Sequence, residues 1–278
     1  MEGGISMFHR IGFALCSNEP DFQSVSSVPA SNRNEPRKSV VRVHFPARNM
    51  TLSYYNDAFD LKVGDIVFVD GKLEGLRGRV VDITYNFKIK LSDYKRVISV
   101  ADTNVKGELF FAGSHFVTFD PAMLPYSKVI SWFKAPDKED DLYVSGNDDS
   151  GFQLDDLSTM KVGHDIAERG HDYYMESRVR YICLAGTKGR AIVEGSRTYE
   201  LEFECQNMEI RNLTCNCFCS YPCKHEFAAM LQLRETLELI AKNYEPRYKE
   251  RGYFAAVAKG TLMSFAVDSK EEGSILLA

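Results

Sequence analysis

The sequence lacks an uninterrupted apolar stretch long enough to cross a membrane. Its most apolar stretch, 253–267, contains Lys259 and Gly260, whereas a spanning helix needs about 20 consecutive apolar residues. Near the N-terminus, the short apolar segment 11–16 is too brief for the hydrophobic part of a secretory signal. We therefore expect a cytoplasmic protein that makes no contact with membranes.

An excess of basic residues is also lacking. The 34 Lys and Arg residues are outnumbered by 39 Asp and Glu residues, which gives a formal net charge of -5. Proteins that coat nucleic acid through bulk charge are usually strongly basic. The composition disfavours that class of protein, but it leaves room for a local basic patch.

Motifs for catalysis are missing as well. Gly71 and Lys72 are followed by Leu73, and Ile66 occupies the position of the first glycine of a phosphate-binding loop. A Cys–His nucleophile pair around His225 would need a third residue to orient the histidine, and none is evident. We therefore expect a binding protein with no small-molecule substrate, and not an enzyme.

The chain divides by composition into segments typical of an α+β protein. Residues 1–38 are rich in Ser, Asn and Pro and predict a disordered tail, and 39–105 contain short apolar runs separated by turns. Residues 106–153 form an extension that ends in an acidic linker. A second ordered domain spans 154–245, and 246–278 form a C-terminal extension.

The segment 39–105 predicts a small all-β barrel. Five short strands are indicated, at 41–45, 66–69, 80–83, 87–91 and 97–100. The run from Leu61 to Val69, with Gly71, Gly75 and Gly78 after it, resembles the KOW-type motif of small barrels in transcription and translation factors. That resemblance implies binding to RNA, ribosomal or polymerase surfaces. A barrel used only for packing or dimerisation is the equally open alternative.

The segment 154–245 predicts helices around three strands. A helix over 155–169 is expected to end at Gly170, and a long amphipathic helix is expected over 224–243. Between them, strands are predicted at 179–184, 190–194 and 198–204.

The number and the spacing of the cysteines argue against a disulfide framework, because the number is odd and most of them are clustered. The chain has seven cysteines, and four of them fall between Cys215 and Cys223. Cys215 and Cys217 are two positions apart, so both side chains lie on one side of an extended backbone. Cys223 and His225 form a second pair at the start of the predicted long helix. These four residues predict one structural Zn²⁺ site with no open coordination position.

Cys219 is a competing ligand inside the same segment. We favour Cys217, because a Cys217–Cys219 pair would leave Cys215 without a partner and lengthen the first loop. The structural site is also favoured over a chance group of buried cysteines, since three cysteines and one histidine match the spacing.

The ligand spacing resembles the SWIM zinc finger, whose pattern is Cys-x-Cys, a variable gap and Cys-x-His. The resemblance extends over about ninety residues and includes Arg169-Gly170, Tyr173-Tyr174, Val179, Gly195-Ser196, Tyr199 and Phe227-Ala228-Ala229. It implies zinc binding and a DNA- or protein-interaction role. Members of the family occur beside Swi/Snf-type ATPases, in transposases and in kinases.

Two classes of partner are predicted. Nucleic acid, either DNA or RNA, is favoured by a possible basic face on the barrel with aromatic residues between the charges. The basic residues proposed for this face are Lys72, Arg77, Arg79, Lys88 and Lys90. The acidic balance of the chain favours the alternative, a protein–protein adaptor accessory to a helicase-type ATPase.

Overall fold

The structure, a computed structural model, describes residues 9–13, 36–137, 146, 150–219, 222–267 and 273–277. The chain combines sheets and helices, so the predicted α+β class is confirmed. Most of the predicted tail 1–38 and of the acidic linker lies outside the described residues. Within that tail, residues 9–13 form a strand.

The described strands are numbered in chain order. They are β1 (His9–Phe13), β2 (Ser39–Phe45), β3 (Met50–Asn56), β4 (Ile66–Val69), β5 (Gly78–Thr84), β6 (Val97–Val100), β7 (Glu108–Ala112), β8 (His115–Thr118), β9 (Gly151–Gln153), β10 (Val179–Ala185), β11 (Lys188–Glu194), β12 (Thr198–Gln206), β13 (Glu209–Cys215), β14 (Tyr253–Ala258) and β15 (Gly273–Leu277). The α-helices are α1 (Tyr126–Ile130), α2 (His164–Met175), α3 (Lys224–Asn243), α4 (Glu245–Arg251) and α5 (Lys259–Leu262). Short 3₁₀ turns cover Pro46–Arg48, Leu91–Asp93 and Leu157–Met160, and a π-helical turn covers Met263–Val267.

The first sheet has five strands in the order β3-β2-β5-β4-β6, and its strands pair antiparallel. Four of the five predicted strands lie within β2, β4, β5 and β6. The predicted strand at 87–91 is wrong: this segment is a connection, in which the Phe87 ring contacts Tyr55 with centroids 6.1 Å apart. Apolar residues alternate in this segment because the connection packs on the sheet. The sequence did not predict β3, because its first four residues are exposed and show no alternation in burial.

The two edge strands of this sheet meet. Tyr55 of β3 forms an isolated parallel bridge with Arg96, next to β6, and the Tyr55 N–H donates to the carbonyl of Lys95 at 2.9 Å. Within the sheet, a Cβ atom at Gly78 would lie 2.2 Å from Cγ1 of Val43, so β2 and β5 approach closely only because Gly78 lacks a side chain.

The second sheet has ten strands in the order β1-β15-β7-β8-β14-β10-β11-β12-β13-β9. It is antiparallel except between β15 and β7. Successive residues of β14 alternate between two apolar clusters, with Phe254 in one and Ala255 in the other. The first cluster lies beneath α3, and the second contains the single tryptophan, Trp132. Helices and loops therefore cover both faces at the centre of the sheet.

The cluster around Trp132 also joins the two sheets. Ile66, at the start of β4, and Ala101, just after β6, are buried in it together with Tyr181 of β10. The segments 106–153 and 246–278, predicted as extensions, supply β7, β8, β9, β14 and β15 to the same ten-stranded sheet as the predicted second domain. The five-stranded sheet is consequently packed against the larger one.

Helix α2 does not end where the sequence predicts. It continues through Gly170 to Met175, and Gly170 is buried against α3. A Cβ atom at Gly170 would lie 2.9 Å from Cβ of Phe227 and 3.0 Å from the carbonyl oxygen of Lys224. The glycine therefore serves the close approach of two helices and is not a helix cap.

No helix among the described residues is both long and apolar enough to span a bilayer.

Candidate metal centre

Strand β13 positions the first cysteine of the centre. A two-residue turn of Asn207 and Met208, with φ of 51° and 66°, reverses the chain from β12 into β13, which ends at Cys215. Positive φ at both central positions matches the right-handed twist of a hairpin. Strand β13 was not predicted from the sequence, although Asn207 is a residue type that tolerates this conformation.

Helix α3 positions the second pair of residues. It spans Lys224–Asn243, as predicted, and Cys223 is its N-cap. The Cys223 N–H donates to Oε2 of Glu226 at 2.6 Å, which forms one half of a capping box. His225 lies in the first turn of the helix, so the backbone geometry of the cap fixes both side chains at the helix N-terminus.

The four predicted ligands come together. Their ligand atoms all lie within 4.8 Å of one another. Nδ1 of His225 lies 3.6 Å from Sγ of Cys223 and 3.9 Å from Sγ of Cys215. A tetrahedral Zn²⁺ with bonds of about 2.3 Å to sulfur and about 2.0 Å to nitrogen requires N···S separations of roughly 3.6 Å. The cluster can therefore hold one metal ion without a large rearrangement.

Cys219 lies outside this group. Its side chain is exposed, and the group of mutually close ligand atoms contains Cys217 instead. The group of close side chains is thus the one that was favoured from the sequence.

Two tyrosine rings hold the His225 imidazole. The Tyr199 ring stacks on it with centroids 3.8 Å apart and an interplanar angle of 20°, and the Tyr173 ring meets it edge-on at 5.5 Å. Nε2 of His225 is buried and has no hydrogen-bond partner among the described residues. Nδ1 is therefore the nitrogen that faces the thiols, and ring packing fixes its orientation.

The three thiols of the cluster have different pKa values. A hydrogen bond from Cys215 lowers the pKa of Cys223 to about 3, with help from His225. The same interaction is the main cause of a raised pKa at Cys215, and burial raises the pKa of Cys217 to about 11. Burial, followed by the nearby Cys223 charge, raises the pKa of Glu226 to about 8. Full ionisation of three thiols needs a cation beside them, so metal binding releases protons.

Other residues of the extended sequence pattern surround the centre. Gly170 lies against Phe227, which is two residues after His225 in α3. A Cβ atom at Gly195 would lie 3.0 Å from the Tyr173 hydroxyl and 3.0 Å from the Tyr199 ring. These residues, far apart in the chain, pack around His225.

The predicted basic residues fall into two groups. Lys72, Lys88 and Lys90 are exposed on the five-stranded sheet and its connections. Arg77 and Arg79 are partly buried and line a cleft of about 940 Å³ that faces the ten-stranded sheet. Two of the five residues therefore line the cleft, and the other three do not.

Comparison of the chain with family models, with curated protein sequences and with solved structures finds no match.

Proposed function

We propose that this chain is a SWIM-type binding protein whose Cys₃His cluster holds one structural Zn²⁺. The donor set is typical of zinc, since three soft thiolates and one imidazole suit a tetrahedral d¹⁰ ion. All four positions are filled by Cys215, Cys217, Cys223 and His225, which leaves no open position for a substrate. The packing of Tyr173, Tyr199 and Gly195 around the centre supports the SWIM assignment.

The five-stranded sheet is, in this proposal, a KOW-like small barrel. The bridge between Tyr55 and Arg96 supports closure, because it links the two edge strands of the sheet. Closure of a small sheet removes the free backbone groups of its edges. The close contact at Gly78 agrees with the glycine positions of the KOW-type motif.

The partner of the protein is nucleic acid, and one observation supports this choice above the others. Arg77 and Arg79 belong to the region of the five-stranded sheet and line a cleft between the two sheets. Arg180 and Arg197, from the ten-stranded sheet and one of its turns, line the same cleft. Four guanidinium groups therefore converge from two sheets of a chain with net charge -5. A local concentration of positive charge attracts phosphates even where the whole chain is acidic.

A protein adaptor is the second candidate. Met50 and Leu52 lie two positions apart on the edge strand β3, so they share one face of the sheet, and they are 37% and 40% exposed. Exposed apolar residues on a sheet face favour a protein partner. A helicase-type ATPase would be the expected class of partner.

Salt titration of the zinc-loaded protein with DNA and RNA tests the proposal. With three or four phosphate contacts, affinity for duplex DNA should fall by roughly two orders of magnitude between about 50 and 200 mM salt. Absence of binding to both nucleic acids at low salt, together with capture of a purified helicase-type ATPase, would establish the adaptor function instead.

A further inference from the structure

The cleft between the two sheets concentrates charge. Five basic and two acidic side chains line its volume of about 940 Å³. The two acidic residues are Asp137 and Glu194. Basic residues therefore dominate the cleft by three charges, against the net charge of -5 for the whole chain.

One carboxylate orients two of the cleft arginines. Nη2 of Arg77 lies 3.2 Å from Oε1 of Glu194, and Nε of Arg180 lies 2.8 Å from Oε2 of the same residue. Nη1 of Arg180 also donates to the carbonyl of Ser177 at 3.0 Å. The two guanidinium groups are thus held in place before any ligand arrives, and only one of their two charges is neutralised.

Arg79 is a cation of the cleft that pairs with no anion among the described residues. Its side chain is partly buried, and it has no ion pair or side-chain hydrogen bond among the described residues. A guanidinium offers five N–H donors that match the oxygens of a phosphate. Arg79 therefore has all of its donors available for an anion inside the cleft.

Arg197 connects the cleft to an exposed aromatic ring. It lines the cleft, and its Nη2 donates to the carbonyl of Asn216 at 2.6 Å, between the first two cysteines of the metal centre. Its guanidinium also lies 4.8 Å from the ring centroid of Phe218. The Phe218 side chain is 94% exposed, so one face of a large apolar ring is offered to solvent beside the basic cleft.

We infer that this cleft binds a single-stranded nucleic acid, with phosphates contacting Arg79 and Arg197 and a base stacking on Phe218. The inference rests on the proposed nucleic-acid function. A basic groove with an aromatic platform is the arrangement by which proteins bind single strands. A rigid duplex presents its phosphates on a convex surface, whereas the arginines here converge in a concave space that a flexible strand can enter.

The test compares strands by fluorescence anisotropy with full-length, zinc-loaded protein. The probes are labelled oligo-dT and oligo-rU of about 15 nucleotides, a length that fills a small single-strand module, and the matching duplexes. The single strands should bind at least about tenfold more tightly than the duplexes, because only they reach the stacking platform.

Three variants locate the binding site. Arg79→Ala should lower the slope of log affinity against log salt by about 0.7, the value for one phosphate of a single strand. Phe218→Ala should weaken binding by about 5- to 150-fold, and Phe218→Leu should do nearly the same because it keeps an apolar side chain but no ring. Arg42→Ala is the matched control: Arg42 is exposed on β2 outside the cleft, so the same loss of charge should leave affinity within about twofold.

The results of these binding experiments distinguish an error in the location of the binding site from an error in the proposed nucleic-acid function. If the wild-type protein binds neither strand nor duplex at low salt, the proposed function and the inference both fail. If nucleic acid binds, but Lys88→Ala/Lys90→Ala removes binding while Arg79→Ala and Phe218→Ala do not, the function stands and the cleft is wrong. Equal or tighter binding of the duplexes would also overturn the inference. Metal content and circular dichroism of each variant show that it is folded.

Discussion

The two sheets of this protein are assembled in different ways. The five-stranded sheet is built from strands within residues 39–100, and its apolar cluster comes from that same stretch. The ten-stranded sheet combines strands that begin at His9 and end at Leu277. Contacts that are near in sequence form with little loss of chain entropy, whereas distant ones need other stabilisation. Pairing between strands of the ten-stranded sheet therefore depends far more on distant segments than pairing within the five-stranded sheet does.

The candidate metal centre belongs to the ten-stranded sheet and its covering helix. It joins the end of β13 to the start of α3, and α3 covers one apolar cluster of the ten-stranded sheet. The five-stranded sheet contains no comparable group of metal ligands among the described residues. Loss of the metal or of one of its ligands should therefore destabilise the ten-stranded sheet and leave the five-stranded sheet folded.

Removal of the metal is expected to have the largest effect. A structural zinc site contributes folding energy directly, so chelation should unfold β13 and the first turns of α3 and spare the five-stranded sheet. Hydrogen exchange measured by mass spectrometry should show loss of protection in β13 and in the first turns of α3, and none in 39–100. Metal analysis should give about one zinc per chain. A zinc-free protein with full protection in α3 would contradict the structural role.

Replacement of single cysteines should show which of them bind the metal. Cys217→Ser removes a ligand and should abolish stoichiometric zinc binding, because serine is a poor ligand for zinc in a thiolate site. Cys219→Ser is the matched control, since Cys219 is exposed and lies outside the ligand group. Zinc content of the two purified variants measures the difference. The reverse pattern would shift the ligand set by two residues.

A substitution at the contact between α2 and α3 is expected to change stability less than loss of the metal does. Alanine normally stabilises a helix interior by about 1 kcal/mol relative to glycine. At Gly170, however, the added Cβ would lie 2.9 Å from Phe227, so Gly170→Ala should lower the free energy of unfolding by about 1–2 kcal/mol. Urea unfolding of the zinc-loaded protein measures this change.

Gly260→Ala is the control for that substitution, because no atom lies within 4 Å of an added Cβ there. It should leave the unfolding midpoint unchanged or raise it slightly, because alanine is favoured over glycine in a helix. Stabilisation by Gly170→Ala would show that the two helices can move apart at no cost, and it would remove the reason for the buried glycine.

Features that depend on neighbouring residues can be predicted from the sequence of this protein. The spacing of Cys215, Cys217, Cys223 and His225 is a local property, and the structure brings the four together. The bounds of α3 and the positions of β4 and β6 follow from local apolar periodicity. For the same reason, the alternation of a packed connection at 87–91 was mistaken for a strand.

Contacts between distant residues, in contrast, depend on how the whole chain folds. Arg77 pairs with Glu194 across 117 positions of the chain, so a residue predicted to lie on a basic barrel face lies instead in a cleft between two sheets. Gly170, predicted to end a helix, is needed because α3 packs against it. Local sequence patterns report burial but not the partner that buries a residue, because that partner is chosen by how whole elements pack.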